Sequence, residues 1–268
     1  MNRRPDSTPR QCEFRFYEEL NDFLPPACRK VSFTHAFTGT PAVKDRIESL
    51  GVPHTEVDLI LVDGISVNFA HRLHGGERVA VYPVFECFDI RQVTRLRPEP
   101  LRHPAFILDV HLGTLARYLR LLGLDTLYHT GWHDEEIANR ALSEHRTILT
   151  RDIGLLKRSI VTHGAFLHHT APREQVEEVL DRFDLWHHVR LFSRCAHCNG
   201  RIESIARDQV AGSVPLRVWS YQHEFYRCSV CGHLYWAGTH GERLRTWLAP
   251  LLQKHGVDGW NKAAEESS

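Results

Sequence analysis

Two periodicities divide the chain. From about residue 12 to residue 90, apolar and polar side chains alternate in short runs, as on strands with one buried face. "CEFRFYEEL" (12–20) and "RKVSFTHAF" (29–37) are of this kind. "PAVKDRIESLG" (41–51) changes period: Val43, Ile47 and Leu50 fall on one helical face, and Gly51 follows as a C-cap. "EVDLILVDGISV" (56–67) reads as two strands about an Asp63-Gly64 hairpin turn, and "ERVAVYPVF" (77–85) as one strand more. The expected order is β-β-α-β-β-β. From residue 106 the pattern alternates strand and helix. "FIL" (106–108), "LDTLYH" (124–129), "TILT" (147–150) and "AFLHH" (165–169) are the strands. The helices are "HLGTLARYLRLLG" (111–123), "DEEIANRALSEH" (134–145), "IGLLKRSIVTHG" (153–164) and "REQVEEVLDRFDL" (173–185). In the first of these Leu112, Leu115, Ala116, Leu119 and Leu122 share a face, and Gly123 can end it. Strands separated by helices of this length predict a parallel α/β sheet with helices on both sides.

That topology gives meaning to the acids. "FIL" runs into Asp109, and "TILT" into Arg151 and Asp152. Right-handed crossovers bring the C-terminal ends of parallel strands to one edge, where ligands bind in open α/β sheets. Asp134, opening the second helix beside Glu135, is expected to face the same edge. Carboxylates gathered in one cleft repel each other unless cations lie between them, and oxygen ligands of this type suit Mg²⁺ or Mn²⁺. Each acid also has a plainer role. Asp109, Asp134 and Asp152 can all be helix N-caps, and Glu135 favours a first turn on electrostatic grounds. Capping and metal binding are compatible.

A second motif is more specific. "CAHCNG" and "CSVCGH" are two CxxC knuckles, supplied by Cys195, Cys198, Cys228 and Cys231. Four thiolates suit tetrahedral Zn²⁺, and the Asn or Gly after the second Cys of each pair tolerates a tight turn. The stretch 199–227 between the pairs is long and is expected to hold a loop and ribbon strands. His197 and His233 are alternative ligands, but the four Cys suffice. With four protein ligands this zinc is structural, with no open position for chemistry. A thioredoxin-like redox pair would need a CxxC opening a helix, and neither pair has that context.

Composition then narrows the field. Lys plus Arg equals Asp plus Glu, 33 each among 268 residues, so nucleic-acid binding has to come from a local patch. Arg117, Arg120, Arg151, Lys157 and Arg158 are the candidate phosphate contacts; the competing reading is a solvated helical face. Hydrophobic residues at 42 % allow real cores, and no apolar run reaches the roughly 18 residues of a membrane span. Seven cysteines, an odd number, and no export signal point to a reducing cytoplasm and to metal rather than disulfides. "RQVTRLRPEPLRHPA" (91–105), rich in Pro and Arg, reads as a semi-extended linker.

The quoted segments carry family resemblances. The N-terminal order resembles a β-grasp, ubiquitin-like fold of the small sulfur-carrier kind. Such carriers act through a terminal Gly-Gly, whereas Gly75-Gly76 is internal here, so the module is read as a binding or positioning domain open to a protein partner. "FILDVHLGTLARYLRLLGLDTLYHT", "DEEIANRALSEHRTILTRDIGLLKR", "RCAHCNGRIE" and "CSVCGHLYWAGTHGERL" resemble the nuclease domain of Mut7-type exonucleases, a PIN-like ribonuclease fused to a zinc ribbon. With the ubiquitin-like module in front, the layout is similar to bacterial Mut7-C proteins. The resemblance implies a metal-dependent ribonuclease acting on RNA. Asp109 matches the first acid, Asp134 or Glu135 the middle one, and Asp152 the acid of "LTRD". No clear counterpart exists for a fourth acid; Asp125 and Asp181 are fallbacks. The alternative is a non-catalytic RNA-binding adaptor that keeps the fold. The expected division is a lead-in at 1–10, a ubiquitin-like domain at 11–91, a linker at 92–105, a PIN-like domain at 106–192, a zinc ribbon at 193–248 and a tail at 249–268.

Overall fold

In the computed structural model, residues 8–84, 96 and 105–257 are described. The expected linker lies outside them except for Leu96 and Ala105. In chain order the strands and α-helices are β1 (Pro9–Phe16), β2 (Phe33–Thr38), α1 (Val43–Ser49), β3 (Val57–Val62), β4 (Ile65–Ser66), β5 (Arg78–Pro83), β6 (Phe106–Leu108), α2 (Gly113–Leu121), β7 (Thr126–Leu127), α3 (Asp134–Ser143), β8 (Thr147–Thr150), α4 (Ile153–Leu156), β9 (Gly164–Phe166), α5 (Pro172–Arg182), β10 (Ile202–Ile205), α6 (Leu216–Tyr221), β11 (Phe225–Cys228), β12 (Leu234–Trp236) and α7 (Thr239–Lys254). The chain forms two compact units. One comprises Met1–His103 and Asp134–Phe166, the other Pro104–His133 and Leu167–Ser268.

In the first unit the β-β-α-β-β-β order holds. Five strands form a sheet in the order β2-β1-β5-β3-β4, with β1 and β5 parallel and the other neighbours antiparallel. This is the β-grasp arrangement. The alternation seen in the sequence decides which side is wet: on β1, Cys12, Phe14 and Phe16 face inward and the residues between them do not. They pack with Leu20, Ile47 from α1, Ile60 and Val81. Asp63 and Gly64 form the hairpin turn with φ of 49° and 82°, the pair of positive values that a two-residue turn between twisted strands demands. The Gly75-Gly76 dipeptide sits in a closed turn. The Glu77 carboxylate accepts from the His74 and Gly75 N–H groups, each at 2.6 Å, and Gly76 N–H donates to Gln11 O at 2.7 Å.

The same unit contains the parallel pair β8 and β9. All four residues of β8 are buried, as befits a strand covered on both faces. The helix expected over 153–164 is only α4, four residues long. Beyond it Ile160, Val161 and Thr162 are β-branched in succession, which weakens helix formation. Val161 O also bonds outside any helix, to His54 Nε2 at 2.8 Å.

In the second unit β6 and β7 pair in parallel, and α2 buries Leu115, Ala116 and Leu119 as its periodicity requires. Leu122 N–H and Gly123 N–H close the helix, with Gly123 at φ 88°. Strands β10, β11 and β12 make a three-stranded antiparallel ribbon. Helix α7 spans the expected boundary at 248/249 between ribbon and tail. It buries Leu244, Leu248 and Leu252 at helical spacing and runs through Pro250. Its Trp247 ring meets Tyr118 of α2 and lies under the Arg173 guanidinium of α5.

Candidate functional site

The candidate acids end short, buried strands. Phe106, Ile107 and Leu108 are each 0 % exposed and Asp109 only 6 %. Asp109 stands at the N-cap position of a single 3-10 turn, Val110–Leu112, yet its side chain makes no capping bond; its carbonyl accepts from Leu112 N–H at 3.0 Å. The plain capping role therefore does not describe this carboxylate. Asp152 differs: it is exposed, and its Oδ1 accepts from Gly154 N–H at 2.7 Å, a true N-cap of α4. Its own N–H donates to Thr150 Oγ1 at 2.9 Å, which fixes the exit from β8. Asp134 and Glu135 are the first two residues of α3, half-buried and exposed respectively. Glu136 is held by Arg140 one turn later, at 3.1 Å. Asp134, Glu135 and Asp152 belong to the first unit and Asp109 to the second.

The fallback acids are engaged elsewhere. Asp125 accepts from Asn199 Nδ2 at 2.9 Å and Arg194 Nη2 at 3.1 Å. Asp181 accepts from Trp186 Nε1 at 2.7 Å.

The candidate phosphate contacts separate into two kinds. Arg117, Arg151 and Arg158 are exposed, with the Arg151 guanidinium 6.0 Å from the Phe166 ring centre. Arg120 is 5 % exposed, and its guanidinium is turned inward onto backbone carbonyls. Lys157 donates to Glu48 O at 2.6 Å, a bond to the β-grasp helix. Periodicity places Arg120 off the apolar stripe but cannot show that its head turns inward.

The four cysteines come together. Their sulfurs all lie within 4.8 Å of one another, with Cys195–Cys231 at 3.6 Å and Cys198–Cys228 at 3.4 Å. Sulfurs bound tetrahedrally at about 2.3 Å from one zinc would stand roughly 3.8 Å apart, so the quartet fits such an ion. The knuckle turns are built as the sequence requires: Asn199 and Gly232 take φ of 70° and 73°. The N–H groups of Cys198 and Cys231 point back at the Cys195 and Cys228 sulfurs, at 3.4 and 3.5 Å. Tyr235 was missed from sequence. Its hydroxyl accepts from Ala196 N–H at 3.1 Å and shares a hydrogen bond with Cys195 Sγ at 3.0 Å. Burial opposes ionisation of Cys195, but this hydroxyl and the N–H groups of Cys198 and His197 outweigh it and bring the thiol down to about 7. His197 and His233 stack beside the quartet with ring centres 6.3 Å apart and are not needed as ligands.

The sequence profile described as the Mut7-C RNAse domain matches residues 104–248, and that described as Mut7-C ubiquitin matches residues 10–89. No curated protein and no solved structure matches the chain.

Proposed function

The chain belongs to the Mut7-C RNAse domain family, whose profile covers residues 104–248, and from that premise we propose that it is a metal-dependent ribonuclease hydrolysing RNA phosphodiester bonds. Asp109, Asp134 or its neighbour Glu135, and Asp152 hold Mg²⁺ or Mn²⁺. Such an ion supplies an activated water and offsets charge at the phosphoryl group. The chain's own residues hold and orient it, and Arg117, Arg151 and Arg158 meet the RNA backbone. Zinc sits in the cysteine quartet and is structural, because four protein ligands leave no open position. A cytoplasmic location is part of this reading, supported by the odd number of cysteines in the sequence; among the described residues no helix is long and apolar enough to cross a membrane.

The observation that carries the reading is Asp109. It lies inside the matched segment, directly after a fully buried strand, and is itself buried without capping the turn it precedes. One observation favours a second reading, the RNA-binding adaptor: both fallback acids are tied into other bonds.

The deciding experiment uses the full, zinc-loaded chain and a labelled generic single-stranded RNA. Cleavage should require added Mn²⁺ or Mg²⁺, and Asp109→Asn should lower it at least roughly a hundredfold, about 2.7 kcal/mol of transition-state stabilisation. RNA binding without cleavage at any metal concentration would replace the ribonuclease by the adaptor.

A further inference from the structure

We propose that Arg120 and Tyr128 are positioning residues that connect the first cysteine knuckle to Asp109. The inference rests on the reading of Asp109 as a metal-holding acid.

The connection is a continuous set of bonds. Arg120 presents its donors in a rigid fork. Nη1 reaches His197 O at 2.9 Å and Ala196 O at 3.3 Å, the two carbonyls between Cys195 and Cys198. Nε reaches Thr126 O in β7 at 2.8 Å, and Nη2 lies 3.5 Å from Tyr128 O. One side chain of α2 thus joins the knuckle to the strand and its exit. Burial disfavours the guanidinium charge, and the neighbouring Cys195, Cys198 and Asp125 act against that penalty. A cysteine quartet around one Zn²⁺ carries net negative charge, so the arginine is matched to the loaded centre. Asn199 reinforces the joint, accepting from Thr126 N–H at 3.1 Å and donating to Asp125.

From Thr126 the chain reaches Tyr128, whose hydroxyl donates to Val110 O at 2.9 Å. Val110 directly follows Asp109. This bond and that from Leu112 N–H to Asp109 O together fix the backbone on the C-terminal side of the acid. The ring fits because residue 113 is glycine. A Cβ there would stand 2.6 Å from Tyr128 Oη and 2.8 Å from Cζ. Gly113 has ordinary helical φ of −59°, so space rather than backbone freedom explains it. Glycine in a helix costs up to about 1 kcal/mol relative to alanine, and here that cost leaves room for the tyrosine. A metal-holding carboxylate has to be fixed to within about half an ångström, which is what such supporting bonds achieve.

The test is made on the full chain with its zinc. Tyr128→Phe keeps the ring and removes the bond to Val110 O. It should retain one zinc per chain and an unchanged KM for single-stranded RNA. Its kcat should fall about tenfold, and calorimetric Mn²⁺ affinity should weaken by a similar factor. Gly113→Ala should change both quantities in the same direction, although alanine is the better helix former. Wild-type kcat and Mn²⁺ affinity in Tyr128→Phe would overturn this inference alone. A wild-type chain that neither binds Mn²⁺ nor cleaves RNA would overturn the ribonuclease reading, and this inference with it.

Discussion

At the residue scale, Asp152 and Asp109 show how one residue type in similar sequence settings reaches different environments. Both follow a buried strand, but Asp152 spends an oxygen on the Gly154 N–H, whereas Asp109 caps nothing with its side chain. This makes Asp152→Asn a clean separation of roles. Asparagine keeps the capping oxygen and ranks with aspartate as an N-cap, so thermal stability should be nearly unchanged. If Asp152 also holds the catalytic ion, cleavage in Mg²⁺ or Mn²⁺ should fall at least roughly a hundredfold. An Asn variant with normal melting and near wild-type cleavage would return Asp152 to the role of a cap. Glu56 is a buried acid that neither periodicity nor motif singles out. It is 1 % exposed, and its Oε1 accepts from Phe166 N–H at 2.6 Å.

At the scale of elements, that bond gives the β-grasp domain a structural task. Strand β9 lies at the edge of its sheet and pairs with β8 on one side, which leaves outward N–H and C=O groups exposed to association. The turn His54–Glu56 covers them. Glu56 takes the Phe166 N–H, His54 bonds Val161 O, and Phe23 packs edge-on against the Phe166 ring at 5.4 Å. Lys157 adds its bond to Glu48 O at the end of α1. Glu56→Ala should therefore destabilise the chain by about 1–3 kcal/mol, the cost of an unpaired buried donor, while Glu56→Gln keeps an acceptor and should cost much less. Denaturant unfolding distinguishes the two. Removing residues 1–100 should lower the melting temperature and cause concentration-dependent association through the uncovered strand. A truncated chain that remains monomeric in size-exclusion chromatography and melts like the full-length protein would show that this cover is dispensable. The domain is thus expected to affect folding of the nuclease segment directly, beyond any influence on substrate choice.

For the whole molecule, the ribbon is more firmly joined than its sequence position implies. Knuckle carbonyls, Asn199 and Arg194 all bond to α2, β7 or Asp125. Helix α7 continues from the ribbon to Tyr118 of α2 and Arg173 of α5. One zinc per chain is expected by elemental analysis, and metal binding should carry much of the folding energy of so small a ribbon. Cys228→Ser should lose that zinc. Unfolding should also begin at lower temperature in the segment containing α2, because the knuckle carbonyls that receive Arg120 would no longer be held. Full zinc content in this variant, or an unchanged transition of the α2 segment by hydrogen exchange, would contradict that coupling.

Sequence alone determined whatever depends on local periodicity and on turn chemistry. Alternation set the β-grasp strands, Asp63-Gly64 set their hairpin, the leucine stripe set α2, and CxxC followed by Asn or Gly set the metal knuckles. Each is a short-range steric or ligand-spacing rule, so neighbours in sequence suffice. The third expected helix shrank to α4, since Val161 O and Lys157 found partners in the β-grasp domain more than a hundred residues away. Only tertiary structure decided where long side chains turn. Arg120 is off the apolar stripe by periodicity, yet its flexible stem carries the charge inward to carbonyls of a knuckle far along the chain. Helix α7 was hidden by Pro250, a residue that ordinarily interrupts helices, until packing of Leu244, Leu248 and Leu252 stabilised it. The pairing of Arg120 with the knuckle leaves no periodic trace, because the arginine by itself is simply a polar residue at a surface-compatible position.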